Sequence, residues 1–188
     1  MNFTILKRGF KANAEKRALL FRQELNLKYY SPLDAFLLAN HLGIDVFTPS
    51  EMGLDKNSCN HLTKNGSGWS ALTIKNNEAN YIIIHNPNHH ETRQQSNIMH
   101  EISHILCEHE FPPLMMVENM PIPSRSYNEL FEAEADWLGS NILIPRKALQ
   151  WCLYRGMKLQ DVASYFNVSE QMVRMRINLS GLSGRFKK

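Results

Sequence analysis

The sequence predicts an α+β fold in which a small antiparallel sheet packs on helices. Helical patterns come first, short strand patterns follow, and helical patterns occupy the rest of the chain. The chain has 188 residues, which suffices for one domain with a small appendage. Its hydrophobic content of 43% and charged content of 21% are ordinary for a globular protein and exclude a largely disordered chain.

The N-terminal helices are predicted from helix-forming residues and from capping signals. Residues 11–26 are rich in strong helix formers and predict the first helix. The second helix is predicted with Ser31 as its N-cap, Pro32 at its first position and Gly43 just after its last turn. A short strand over residues 44–48 then follows.

Two strands and two longer helices are predicted in the middle of the chain. Residues 70–75 and 81–85 are separated by a polar link and predict a hairpin. A helix is predicted over about residues 91–108, where a Phe-Pro-Pro sequence then stops it. A proline-rich loop over residues 112–127 and a further helix over residues 128–143 complete this part.

The C-terminal part of the chain predicts three short helices. Residues 159–176 have the pattern of a helix, a tight turn and a second helix, with Ser169 as the N-cap of the second. We therefore divide the chain into a core of residues 1–145 and a helix-turn-helix-like segment of residues 146–188, which we expect to pack on the core.

Composition and targeting signals narrow the class of protein. No apolar run reaches the roughly 18 residues that a membrane span requires, and the first ten residues lack the pattern of a secretory signal. The 3 cysteines show no CxxC spacing and indicate reduced thiols. We therefore expect a cytoplasmic protein without a membrane partner. The net charge of +3 is too small to indicate nucleic acid as a partner.

Residues 100–104 form an HExxH motif made by His100, Glu101 and His104. Residues at positions i and i+4 lie on one helical face, so both imidazoles can bind one metal ion. The apolar residues of the same predicted helix lie on the opposite face, which separates the two histidines from the core. Glu101 can take a proton from a metal-bound water and is the candidate general base.

A catalytic zinc site needs a third protein ligand, and two patterns can supply one. The first is a histidine six residues after His104, as in metzincins, but Glu110 occupies that position. The second is a glutamate on the predicted helix over residues 128–143. There Glu132 can complete the site, and Glu129 is an alternative ligand.

The residues around Glu132 support this second pattern. Asp136 lies four residues later on the same helical face, so it can accept a hydrogen bond from a ligand imidazole and fix its tautomer. Glu134 points away from that face. Gly139 lies on it and, having no side chain, would let the two helices approach closely.

Together these motifs resemble the ImmA/IrrE-type metallopeptidases. HExxH is followed by Glu-x-Glu-Ala-Asp and then by Asn-Ile-Leu-Ile-Pro, Arg93 stands where the family commonly has Arg, and residues 31–46 and 160–182 match its terminal helices. Ser103 replaces a usual Gly, and Leu138-Gly139 replaces a usual Phe-Ala. The resemblance implies a zinc-peptidase core. Manganese is a second candidate metal, because it tolerates the same nitrogen and oxygen ligands.

The resemblance also implies the roles of the site residues and the class of substrate. It places zinc at His100, His104 and Glu132, with Glu101 as general base. It implies a regulatory endopeptidase that hydrolyses a peptide bond in a specific protein partner, a helix-turn-helix transcriptional repressor.

Two further features of peptide hydrolysis have candidates in the sequence. Tyr127 and His109 are candidate donors to the oxyanion of the tetrahedral intermediate. The strand over residues 81–85 is expected to present an edge to which an extended substrate adds as a further strand.

The C-terminal end of the chain supports an alternative function. The segment after Glu170 contains no acidic residue and five basic ones: Arg174, Arg176, Arg185, Lys187 and Lys188. A DNA-binding transcriptional regulator with a sensory or vestigial metal site is therefore the alternative interpretation. The low net charge and the HExxH motif favour the peptidase.

Overall fold

The computed structural model describes residues 2–64, 68–75, 80–110, 114–117, 120–123 and 128–184, with residues 114–117 and 120–123 described by their backbone alone. The elements in these ranges are α1 (Phe10–Glu24), α2 (Ala35–His41), β1 (Asp45–Phe47), α3 (Lys56–Thr63), β2 (Ala71–Lys75), β3 (Tyr81–His85), α4 (Glu91–Leu106), β4 (Leu114–Val117), β5 (Met120–Pro123), α5 (Glu129–Leu143), α6 (Arg146–Tyr154), α7 (Leu159–Phe166) and α8 (Glu170–Leu179). The α+β class is confirmed. Within these ranges, no helix has both the length and the apolar character needed to cross a bilayer.

The main sheet is mixed rather than antiparallel, which corrects the prediction. β3 lies between β1, with which it is parallel, and β2, with which it is antiparallel. The predicted hairpin is confirmed as β2 and β3, with Thr73 opposite Ile83. The apolar run over residues 82–84 explains the central position of β3, because a strand covered on both faces reads as a continuous apolar run. The prediction that residues 81–85 offer an edge to a substrate is therefore wrong, and β2 is an edge strand of the described sheet.

The start of α2 also differs from the prediction. The helix begins at Ala35, because Asp34 rather than Ser31 is its N-cap. The Asp34 carboxylate accepts a hydrogen bond from the backbone N–H of Leu37 at 2.9 Å. The backbone N–H of Ala35 donates to Gln95 Oε1 at 2.7 Å, which ties this helix start to α4.

Two segments contain elements that the sequence did not predict. Residues 112–127 were predicted to be a loop, but β4 and β5 lie within them and pair antiparallel. The prolines of β5 are compatible with this because a two-stranded ribbon has an unpaired edge on each side. α3 begins at an Asp55 N-cap, whose carboxylate accepts from the backbone N–H groups of Asn57 and Ser58 at 2.9 and 3.2 Å.

α4 packs extensively against α5, and together they support the predicted site. The apolar face of α4 is buried as predicted, with Ile98, Met99 and Ile102 fully inaccessible to solvent. At Gly139 of α5, a Cβ atom would lie 3.1 Å from Ser103 Oγ and 3.2 Å from the backbone carbonyl oxygen of Met99. The expectation that Gly139 permits a close approach of the two helices is confirmed.

The three predicted C-terminal helices are present as α6, α7 and α8. Ser169 is the N-cap of α8 as predicted, since its hydroxyl accepts from the backbone N–H of Met172 at 3.2 Å. The turn before it contains Asn167, whose left-handed backbone (φ +51°) ends α7. α8 buries Val173 and Ile177 in the same apolar cluster that contains the inner face of α4.

Candidate metal centre

α4 and α5 bring the three predicted metal ligands to one point. His100 Nε2 lies 3.2 Å from Glu132 Oε2 and 3.0 Å from His104 Nε2, and His104 Nε2 lies 3.7 Å from Glu132 Oε1. Ligand atoms about 2.0–2.1 Å from a tetrahedral zinc ion are about 3.3–3.4 Å apart, so these three separations suit a single ion. Two histidines and a glutamate are also a ligand set of known catalytic zinc sites.

Other candidate ligands lie apart from this cluster. In the described part of the chain, His100, His104 and Glu132 are the only group of three or more His, Cys, Asp or Glu residues that could hold a metal ion. Glu129, the alternative ligand, is exposed at the start of α5. Burial and the charge of nearby Glu134 raise the pKa of the Cys107 thiol to about 11, so in the metal-free protein it carries its proton at neutral pH.

Asp136 holds His100 on the side away from the ligand nitrogen. Its Oδ1 lies 2.9 Å from His100 Nδ1, which therefore carries the hydrogen and leaves Nε2 to bind a metal. Burial alone lowers the pKa of His100, but the hydrogen bonds to Asp136 and Glu132 outweigh it and raise the pKa to about 9. A proton therefore competes with a metal ion for this imidazole.

Glu101 is held by a residue of the sheet. Its side chain is buried, and Thr73 of β2 donates a hydrogen bond from Oγ1 to Glu101 Oε2 at 2.7 Å. The bond fixes the orientation of the carboxylate and connects the edge strand to the helix that carries the HExxH motif. The sequence did not predict Thr73, because an isolated threonine in a strand carries no signal of a partner 28 residues away.

His109 lies behind His104 rather than toward a substrate. Its Nδ1 is 2.8 Å from His104 Nδ1, and its Nε2 is 3.0 Å from Glu134 Oε2. Both ring nitrogens are thus engaged, and the ring stacks on Phe131 at a centroid distance of 4.3 Å. The prediction of His109 as an oxyanion donor is therefore wrong. Tyr127, the other candidate donor, lies outside the described residues.

A cleft of about 880 Å³ reaches His100, one of the three candidate ligands. His100 and Asp136 line it, and α8 lines it through Met172, Met175 and Leu179. Its size is that of a site for a small molecule or for several side chains of a peptide. Of the C-terminal helices, α8 therefore contributes to the wall of a cleft that reaches the candidate metal centre.

Comparison with known families identifies the chain. The sequence model of the peptidase M78 family, described as the IrrE N-terminal-like domain, matches residues 39–178. The chain belongs to this family. The resemblance to ImmA/IrrE-type proteins is thereby confirmed, and because M78 is a family of zinc metallopeptidases, the chain has a metallopeptidase-type function. No curated protein matches the sequence.

The C-terminal basic residues of this M78 peptidase are less available than the sequence suggested. Arg176 is buried, with 1% of its surface exposed, and pairs with Glu15 of α1 at 3.0 Å. Arg174 is exposed and lies 3.5 Å from Glu170 one turn earlier. Two of the five basic residues thus face acidic partners, and the other three (Arg185, Lys187 and Lys188) lie outside the described residues.

Proposed function

We propose that this protein is a zinc-dependent endopeptidase that hydrolyses a peptide bond in one specific protein partner. The observation that carries the proposal is the convergence of His100, His104 and Glu132 next to the buried carboxylate of Glu101. The partner that we propose is a helix-turn-helix transcriptional repressor. Its support is the resemblance to ImmA/IrrE-type proteins, which are regulatory proteases.

The residues of the site would have separate roles in hydrolysis. His100, His104 and Glu132 would hold zinc, or manganese, which accepts the same nitrogen and oxygen ligands. When bound, the ion supplies a Lewis acid that polarises the scissile carbonyl and acidifies the attacking water. Glu101 takes one proton from that water as the new C–O bond forms, and donates it to the amine nitrogen as the C–N bond breaks.

The substrate chain is expected to lie along β2. This strand has an unpaired edge in the described sheet, and an extended peptide can add to such an edge through backbone hydrogen bonds. Thr73 joins β2 directly to Glu101, so a peptide on this edge would lie close to the general base. The cleft along α8 would accept side chains of the substrate, and Met172 and Met175 suit apolar ones.

The described residues favour the peptidase over the DNA-binding alternative. The recognition helix of a helix-turn-helix protein must present one exposed face to the bases and phosphates of DNA. In α8, Val173 and Ile177 are buried in the core, and Met172 and Met175 line the cleft. Arg176, the buried partner of Glu15, is unavailable to phosphate.

The first test measures metal content and cleavage together. We expect about one zinc per chain by elemental analysis in the wild type and in Glu101→Gln, and a reduced content in Glu132→Ala. Wild type should release new N-termini from a co-expressed repressor, whereas Glu101→Gln should release none. Glu129→Gln, which neutralises an exposed glutamate on the same helix as Glu132, serves as the control.

Three outcomes would contradict the proposal at different points. A wild-type protein that takes up no metal after zinc is added would exclude the metallopeptidase. Normal cleavage by Glu101→Gln would exclude its role as general base. If the wild type cleaves other peptides but leaves repressors intact, the peptidase activity stands and only the proposed class of partner is rejected.

A further inference from the structure

We infer that His109 and Glu134 form a buried positioning chain for His104, which sets the tautomer and the orientation of that metal ligand. The inference rests on the proposed metal site. It concerns the side of His104 that faces away from the metal. There, His104 Nδ1 is 2.8 Å from His109 Nδ1, and His109 Nε2 is 3.0 Å from Glu134 Oε2.

When a metal is bound, the hydrogen bonds of this positioning chain can run in only one direction, from His104 to Glu134. A neutral imidazole has one N–H donor and one acceptor nitrogen. If His104 Nε2 binds the ion, its Nδ1 carries the hydrogen and donates to His109 Nδ1. His109 then carries its own hydrogen on Nε2 and donates it to Glu134 Oε2. Both short contacts are thus hydrogen bonds, and no nitrogen needs a second proton.

The backbone after α4 places His109 in position. Glu108 adopts a left-handed conformation (φ +57°), and its backbone N–H donates to the carbonyl oxygen of Ile105 at 3.0 Å. The backbone N–H of His109 donates to the carbonyl oxygen of His104 at 3.1 Å. This pair of bonds is a Schellman motif, which reverses the chain at the end of a helix. The reversal brings the His109 ring beneath the His104 ring, at a centroid distance of 4.9 Å.

Packing restrains His109 and shields it from water. Its side chain is 4% exposed, and that of Glu134 is 12% exposed. The His109 ring lies flat on Phe131, with an angle of 11° between the ring planes. Because Phe131 and Glu134 both belong to α5, the helix that carries Glu132 also orients His104 of the facing helix. Displacing α5 would therefore disturb Glu132 and His104 together.

The positioning chain of His104, His109 and Glu134 parallels the contact between Asp136 and His100. Both end at a carboxylate of α5, but one is direct and the other passes through an imidazole. In each case the carboxylate favours a hydrogen on the imidazole nitrogen that faces away from the metal. It also makes the metal-binding nitrogen a better electron donor. Residues that orient metal ligands in this way typically contribute about tenfold to hundredfold to metal affinity.

The test is the zinc dissociation constant of the full chain, measured by competition with a chelator. His109→Phe removes the acceptor for His104 Nδ1 and keeps a ring to stack on Phe131, and we expect zinc to bind about tenfold to hundredfold more weakly. Glu134→Gln keeps an acceptor of the same shape but loses the charge, so we expect a smaller loss. Glu129→Gln is the matched control and should bind zinc like the wild type.

A second readout separates positioning from general stabilisation of the fold. In the zinc-loaded wild type, nitrogen NMR of the histidines should show hydrogen on Nδ1 of His104 and on Nε2 of His109. Unchanged zinc affinity in both Glu134→Gln and folded His109→Phe would overturn the inference, as would the opposite tautomer of His109 in the wild type. A wild type that binds no zinc would instead reject the proposed function itself.

Discussion

At the scale of single residues, the proposed general base, Glu101, is held by a threonine that the HExxH motif does not contain. Glu101 is buried, and a buried carboxylate needs hydrogen-bond donors to be held in one orientation. Thr73 supplies one at 2.7 Å from the neighbouring sheet. In the proposed mechanism, the position of Glu101 relative to the attacking water is therefore determined partly by β2, the strand on which we expect the substrate to lie.

Replacing Thr73 should slow cleavage without removing the metal. Thr73→Val keeps the shape of the side chain but loses the hydroxyl, and a hydrogen bond to a charged group contributes about 1.5–3 kcal/mol. We expect the single-turnover rate of peptide cleavage to fall by about tenfold to hundredfold. Zinc affinity should remain that of the wild type. Thr73→Ser, which restores the hydroxyl, should recover most of the rate. Equal rates for Thr73→Val and the wild type would show that this bond does not position Glu101.

The sequence predicts site residues only where they share one helix. The i, i+4 spacing on α4 and again on α5 was enough to select His100 with His104 and Glu132 with Asp136. The contacts of Thr73 and His109 join different elements, and no spacing along the chain encodes them. The sequence offers His109 as a candidate oxyanion donor, but its contact with His104 depends on a chain reversal at Glu108, which is not a glycine.

At the scale of elements, the close approach of α4 and α5 determines whether the three candidate ligands can meet. His100 and His104 lie on one helix and Glu132 on the other, so the separation of the helices sets the distance between the histidines and the carboxylate. Gly139 permits that separation, since a Cβ there would stand 3.2 Å from the carbonyl oxygen of Met99.

A larger residue at position 139 should therefore weaken both the fold and the metal site. Gly139→Val forces the helices apart, and overpacking of this kind costs about 1–3 kcal/mol. We expect a lower thermal midpoint and weaker zinc binding, measured by unfolding of the zinc-free protein and by chelator competition. Gly184→Val is the control, because a Cβ there meets no atom within 4 Å. An unchanged midpoint for Gly139→Val would mean that the helices adjust at no cost.

Local patterns predicted most elements, whereas pairing between distant segments remained hidden. Helical periodicity and caps predicted α1, α4, α5 and the C-terminal helices. The parallel pairing of β1 with β3 joins strands separated by a helix and by β2, so hairpin signals could not indicate it. The sequence does not single out Asp34 as the cap of α2, because the Ser-Pro sequence just before it is an equally good local start signal.

At the scale of the whole molecule, two buried arginines hold both ends of the chain on α5. Arg22 of α1 donates to the carbonyl oxygens of Ile142 and Leu143 at 2.8 and 3.2 Å. Arg176 of α8 donates to the carbonyl oxygen of Ile144 at 3.0 Å. These groups belong to the C-terminal end of α5, where backbone carbonyls have no partner within the helix and attract cations. Burial lowers the pKa of each arginine to about 10, so both remain charged at neutral pH.

The basic C-terminal segment is therefore in part a structural anchor, which a substitution at Arg176 can test. Arg176→Met fills similar space but leaves Glu15 and Asn141 without the partner that they contact at 3.0 and 2.7 Å. Breaking a buried ion pair costs about 3–5 kcal/mol, and we expect the lower end because Glu15 is partly exposed. Exposed Arg174→Met should change the free energy of unfolding by less than about 0.5 kcal/mol. Urea unfolding of the two variants gives the comparison. The structural role of Arg176 would be contradicted if both variants were equally stable and Arg176→Met alone lost DNA binding in a low-salt gel shift. That result would favour a role of α8 in DNA binding.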